Sequence, residues 1–242
     1  MKNNFEKYYD LIFSNKNYTK EVSYILKKTK PLNIKKILDV GCGTGTHSNL
    51  IYKDKKIKIF ALDKNKAAIK IAKKKNKDIY FSSKNLKSLK ENNFDLIISM
   101  FNVVNYFKDL KKLTSFFEDI KKKTSKNSLF IFDAWNGSFN FNNKIVEEKR
   151  ILKNQNFILI NRIKSIKKKL SKKISLYYKI NINFLKKNKK IQINKKLTQY
   201  LWNPKEIRDA LIVAGFKSIV VKKSFSNKSF SKKDLKIIYL VS

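Results

Sequence analysis

The sequence predicts an α/β fold: a doubly wound, mostly parallel sheet of seven strands with an antiparallel β appendage. Three observations predict it. Apolar strand-like runs alternate with segments of helical periodicity as far as Trp135, the pattern of a parallel sheet with crossover helices. A glycine-rich turn, Gly41-Cys42-Gly43-Thr44-Gly45, follows the first strand and runs straight into a helix. From about residue 144 to Trp202 strand-like runs succeed one another through lysine-rich turns with no helix between them, which fits an antiparallel appendage. One domain is expected, with a core over about 30–137 and 203–242 and the appendage inserted at about 144–202.

The elements follow in order. Val22, Ile25 and Leu26 recur at helical spacing and predict a helix over Tyr18 to Lys28. Lys36 to Val40 reads as the first strand, and a helix over about Thr46 to Tyr52 follows the glycines. Ile57 to Leu62 is the second strand, and Asn65 is placed to cap a helix running to Lys75 with Ala68, Ile69, Ile71 and Ala72 inward. Ile79 to Phe81 makes a short third strand, and Phe94 to Phe101 a continuously apolar fourth one, as in a sheet buried on both faces. A helix over Leu110 to Lys122 precedes the fifth strand, Ser128 to Trp135. The appendage shows strands at Phe157 to Ile160, Ile174 to Phe184 and Ile191 to Tyr200. Asn203-Pro204 opens a helix to Val213 that Gly215 ends. Ser218 to Val221 and Lys236 to Val241 complete the sheet.

The glycine spacing narrows the ligand. The loop reads G-x-G-x-G behind an acidic residue, Asp39, whereas a dinucleotide fingerprint is G-x-G-x-x-G and a P-loop ends in G-K-[ST]. Asp63 closes the second strand 22 residues after Gly41, close to the interval at which a carboxylate meets ribose hydroxyls. The runs LDVGCGTGTH and FALDKN resemble the first two motifs of the class I S-adenosylmethionine methyltransferases. That resemblance implies a Rossmann-like sheet and S-adenosylmethionine as cofactor. It implies a donor site built from Asp39, Gly41, Cys42, Gly43, Gly45, Asp63 and Lys64, with Asp63 accepting from the ribose. Asn85 and Leu86, after the third strand, stand where the family commonly has an acidic residue facing the adenine amino group; an asparagine oxygen accepts the same hydrogen bond. Phe101, at the end of the fourth strand, completes the donor set.

Composition bounds the rest. At 242 residues and 42% apolar, the chain can bury a full core. One cysteine, Cys42, excludes a disulfide framework or a cysteine-rich zinc site. No apolar run approaches a membrane span and the N-terminal residues lack a signal-peptide pattern, so a cytoplasmic protein is expected. The net charge is +39, but 54 of the 57 basic residues are lysine, in a chain rich in Asn, Ile, Phe and Tyr. Both A/T-rich codon usage and a polyanionic partner would give that balance. Residues 149–205 carry 16 lysines, two arginines and no carboxylate, a local positive field that codon usage explains less well.

The segments after each strand are where chemistry is expected. Asn105 and Tyr106 follow the fourth strand, and Asp133 and Trp135 end the fifth. The ordered series YYDLIFSNKNYTKE, MFNVVNYF, FIFDAWNG, the β appendage and LTQYLWNPKEIRDALIVAGF resembles the methyltransferases that modify amino and deoxy sugars on nucleotide carriers. This resemblance implies a small-molecule acceptor, a nucleotide-linked sugar of a surface-polysaccharide pathway, walled by Tyr9, Tyr18, Asn105, Trp135 and Trp202. An amine acceptor must lose a proton to attack; Asp133, Tyr106 and His47 are the candidates to take it, with a packing or capping role the alternative for His47. A tRNA or rRNA methyltransferase would account for the charge, but the Asn/Asp-Pro-Pro-Tyr/Phe run of amino-directed nucleic-acid enzymes is replaced here by Phe101-Asn102-Val103-Val104. A non-catalytic binding module is a further alternative, against which stand the intact glycines and Asp63. A homodimer is compatible with the sequence, and no metal site is expected.

Overall fold

The computed structural model describes residues 5–139, 146–167 and 171–242; residues 144 and 145, where the appendage was expected to begin, lie outside them. Along the chain the elements are α1 (Tyr9–Ile12), α2 (Tyr18–Thr29), β1 (Lys36–Val40), α3 (Thr46–Lys55), β2 (Lys58–Leu62), α4 (Lys66–Lys75), β3 (Tyr80–Ser82), β4 (Phe94–Ser99) and α5 (Leu110–Lys121). They continue with β5 (Thr124–Trp135), β6 (Val146–Lys153), β7 (Phe157–Lys167), β8 (Lys173–Phe184), β9 (Lys189–Tyr200), α6 (Pro204–Val213), β10 (Ile219–Lys223) and β11 (Lys236–Val241). The chain divides into two compact units, one of residues 17–140 and 202–242, the other of residues 1–16 and 141–201.

The larger unit is a seven-stranded sheet in the order β10-β11-β5-β4-β1-β2-β3. β1 to β5 run parallel, while β11 is antiparallel to β5 and β10 to β11. This mixed sheet is the expected doubly wound arrangement. The order reverses beside β1, whose neighbours are β2 and β4, and such a switch point opens a crevice at the carboxyl ends of the strands. Fully buried Ile37, Leu38, Ile59, Leu96, Ile97 and Ile131 fill its centre.

Local chemistry sets the helix ends. Asn65 Oδ1 accepts from the Ala67 and Ala68 amides to start α4, and Asp109 Oδ1 accepts from Lys112 to start α5. At α6 the Glu206 carboxylate accepts from the Asn203 amide, and Gly215 at φ +91° ends the helix. α3 runs to Lys55, three residues beyond the expected Tyr52, because Lys56 closes it in the left-handed conformation at φ +52°. β4 stops at Ser99, two residues earlier than the apolar run suggests. Phe101 and Asn102 both take left-handed φ angles, +72° and +60°, so the backbone leaves the sheet there.

The smaller unit is a four-stranded antiparallel sheet, β6-β7-β8-β9. The sequence marked three of these strands; the fourth, β6, reads Val-Glu-Glu-Lys-Arg-Ile-Leu-Lys and carries too many charges to declare itself. It is registered against β7 from Val146↔Ser165 to Lys153↔Ile158. One face is buried through Leu159, Leu176, Tyr178, Ile180, Ile182 and Ile193. On the same face Asn161 is fully buried, and neither end of its amide has a hydrogen-bond partner. The other face carries exposed Arg162, Lys164, Lys179 and Lys196. The N-terminal segment docks on this sheet: Phe5 and Phe13 pack edge-on to Tyr178 at 6.0 and 6.2 Å, and Lys195 pairs with Glu6 at 3.3 Å. Among the described residues no helix is long and apolar enough to cross a membrane.

Candidate active site

The glycine loop is held by backbone bonds to the end of β2. Gly41 and Cys42 amides donate to the Leu62 carbonyl at 2.7 and 3.0 Å, and the Gly43 amide donates to Asp63 Oδ2 at 2.8 Å. All three glycines sit at positive φ, +80°, +56° and +77°, where a side chain is strained. Their surroundings differ. A Cβ on Gly41 would meet Val103 at 2.5 Å, and one on Gly45 would meet the Phe81 ring at 2.7 Å. A Cβ on Gly43 would have nothing within 4 Å, so the middle of the loop presents bare backbone to open space at the sheet's carboxyl edge.

Asp63 is half-buried and supports this loop from β2, with Oδ1 accepting from the Asn65 amide at 2.8 Å. A carboxylate offers about four acceptor positions; the Gly43 and Asn65 amides take two, which leaves capacity for a pair of hydroxyls. Lys64 beside it is exposed. Cys42 is buried, and burial pushes its thiol well above the ordinary range, so it packs rather than reacts. Asn85 is exposed, and its carbonyl accepts from the Ser88 amide and hydroxyl, forming one 3-10 turn with half-buried Leu86.

Asp39 and His47 belong to one buried group. Asp39 Oδ2 accepts from the Ser48 hydroxyl at 2.5 Å. Burial raises its carboxyl to about 6, against the pull of His47 and the Ser48 hydrogen bond. His47 Nε2 lies 2.8 Å from Glu21 Oε2, and the Tyr18 ring stands edge-on to the imidazole at 5.1 Å. Glu21 and Ser48 went unmarked in the sequence reading.

The ends of β4 and β5 form a second group. The Asn102 amide donates to Asp133 Oδ1 at 2.9 Å, and the Trp135 amide to Asn105 Oδ1 at 3.0 Å. Asp133 and Asn105 are buried; Tyr106 is exposed, and Phe101 and Trp135 are half-buried. Lys236 Nζ lies over both the Phe101 and the Trp135 rings, at 5.4 and 4.9 Å, a contact the sequence did not signal. Val103, pressed against Gly41, brings this group to the glycine loop. Trp202 is buried and its indole N–H donates to the Phe107 carbonyl at 3.2 Å. Tyr9 belongs to the smaller unit, where it packs on Phe5 and Phe13.

Residues 37–126, which include the loop, Asp63 and the end of β4, match the family model described as Methyltransferase domain. This segment is a methyltransferase domain. The open backbone at Gly43 together with the spare acceptor positions on Asp63 fits the nucleoside part of S-adenosylmethionine. Solved structures extend the likeness beyond the matched segment. An S-adenosylmethionine-dependent methyltransferase from Clostridium acetobutylicum aligns with TM-score 0.80 at 19% identity, over 97% of this chain and 95% of its own. KedS8, a sugar N-methyltransferase from Streptoalloteichus, aligns with TM-score 0.77 at 13% identity, over 96% and 92%. CalS10, an amino pentose methyltransferase from Micromonospora echinaspora solved with S-adenosylmethionine, aligns with TM-score 0.74 at 12% identity, over 93% and 92%. No curated protein sequence matches the methyltransferase chain.

Proposed function

We propose that this methyltransferase acts on a nucleotide-linked amino or deoxy sugar in the cytoplasm. The observation that carries the reading is the reach of the likeness: KedS8 and CalS10 align over 96% and 93% of the chain, too much to leave out the antiparallel sheet. A bare donor-binding domain would match in the larger unit alone. The carboxylate-free stretch 149–205 agrees with an acceptor that carries phosphates.

Bound S-adenosylmethionine supplies a methyl group on a positively charged sulfur, so the protein's share is alignment and proton handling. The loop amides and Asp63 are assigned to holding the donor. Asn105 fixes the Trp135 backbone and Asp133 the Asn102 backbone, so both strand ends are rigid. An acceptor nitrogen attacks only as the free amine; Asp133 and the exposed Tyr106 hydroxyl are assigned to that proton, with Trp135, Tyr18 and Trp202 as acceptor walls.

The test uses methyl-labelled S-adenosylmethionine with separate pools of nucleoside-diphosphate amino sugars, nucleoside-diphosphate deoxy sugars and bulk tRNA. Label is expected on a nucleotide-linked sugar and absent from RNA. Transfer to RNA alone would overturn the reading.

A further inference from the structure

The turn that ends β4 buries a polar group with no partner. Asn102 is 3% exposed, and its side-chain oxygen Oδ1 has no hydrogen bond among the described residues. Buried polar side-chain atoms are in the large majority paired, so this acceptor calls for a hydrogen-bond donor from outside the chain. The backbone around it is fixed. The Asn102 amide donates to Asp133 Oδ1 at 2.9 Å, and the Asn102 carbonyl accepts from the Asn105 amide at 3.1 Å. Phe101 and Asn102 hold successive left-handed angles, +72° and +60°, a conformation that costs non-glycine residues energy and collects at ligand sites. Val103, the next residue, is the one a Cβ on Gly41 would meet. Asn102 therefore stands one residue from the glycine loop, and all of these groups lie in the larger unit.

Strand order says which part of a ligand reaches this turn. β3, β2, β1 and β4 lie side by side in the sheet. S-adenosylmethionine is a chain of adenine, ribose, sulfonium and amino-acid tail. With the adenine beside Asn85 after β3 and the ribose on Asp63 after β2, the tail runs across the loop after β1 toward the end of β4. That tail ends in an ammonium and a carboxylate. A carboxamide oxygen accepts hydrogen bonds and cannot donate them, so it suits the ammonium. We propose that Asn102 is a further donor-site residue, whose Oδ1 accepts a hydrogen bond from the ammonium of S-adenosylmethionine. The terminal amide torsion is soft, so the oxygen turns to the ligand with the backbone unchanged. This rests on the reading of the loop as an S-adenosylmethionine site.

The test is a calorimetric titration of the full-length protein with two ligands: S-adenosylhomocysteine, the demethylated donor, and its deamino analogue, in which hydrogen replaces the ammonium. Wild type, N102G and N102D are compared. Glycine accepts the left-handed backbone and removes the oxygen; aspartate keeps an acceptor in its place. Wild type is expected to prefer S-adenosylhomocysteine. N102G is expected to weaken S-adenosylhomocysteine binding on the order of tenfold, the weight of a hydrogen bond to a charged group, and to leave the deamino analogue unchanged. Changing ligand and protein in turn makes a cycle that isolates the pair. N102D is expected to keep the preference. Equal loss of both ligands in N102G, or loss of neither, would overturn the proposal, as would a preference lost in N102D; the N102D arm decides even where N102G does not fold. Wild-type protein that binds the two ligands equally would also overturn it. Wild-type protein that binds neither would instead sink the donor-site reading itself.

Discussion

Asp39 ties the stability of the larger unit to pH. Its carboxyl is raised from 3.8 to about 6 by burial, so the fold prefers the protonated form. The sign follows: the folded chain binds the proton more tightly than the unfolded one, and stability contributed by Asp39 is present below pH 3.8 and lost as pH rises through 6. About two pH units correspond to about 3 kcal/mol. Asp39→Asn is therefore expected to be more stable than wild type at pH 7 by about 2–3 kcal/mol, and equally stable near pH 4, in denaturant melts at the two pH values. An advantage that persists unchanged at pH 4 would mean that another term dominates. The glycines give a second comparison. Gly45→Ala sets a Cβ against the Phe81 ring and is expected to lower the melting temperature. Gly43→Ala meets no neighbour, so it is expected to keep most of its stability, at a left-handed cost of about 1 kcal/mol, and to lose donor binding in the same calorimetric titration. Asp63 could be read from the sequence because its partner loop lies at a fixed spacing in a local motif. Glu21 could not, because it meets His47 across 26 residues and only the packing of α2 on α3 brings the two together.

The elements were legible where periodicity and caps agreed. α4 and α6 begin where Asn65 and Asn203-Pro204 signal them. β4 failed at its end because Phe101 gives no sign of a positive φ; the turn is imposed by the Asn102 amide bonding to Asp133 on the neighbouring strand. β6 was missed because its residues alternate charge with charge. β7 shows what the smaller sheet tolerates. Asn161 is buried with neither amide end paired, and a buried unpaired polar group costs about 1–3 kcal/mol. Asn161→Leu, similar in volume and apolar, is expected to stabilise the protein by about 1–3 kcal/mol, read as a higher urea midpoint with unchanged slope. A lower midpoint would show that the amide has a role the folded chain needs.

For the molecule as a whole, the doubly wound sheet of seven strands followed from the alternation of strand and helix, because crossover topology is a property of the pattern rather than of any single residue. The number of strands in the second sheet did not follow, since charge content hid one. Net charge of +39 acts at this scale too. Attraction between exposed lysines and a phosphate-bearing acceptor is screened within about 8 Å at physiological salt. The KM for a nucleotide-linked acceptor is expected to rise several-fold between 50 and 300 mM salt, as a surface attraction weakens, while donor affinity changes little. A salt-independent KM would assign the lysines to composition alone.

The backbone leaves and rejoins the larger unit at two points that touch: the Gly137 amide donates to the Trp202 carbonyl at 3.0 Å, and a Cβ on Gly137 would lie 2.3 Å from that oxygen. The intervening chain is thus a loop whose ends are already joined. Closing such a loop becomes dearer only slowly with its length, about 0.6 kcal/mol for each doubling. The larger unit is for that reason nearly indifferent to how much chain is threaded between Gly137 and Trp202. One sheet could be exchanged there for another of different size without redesigning the larger unit.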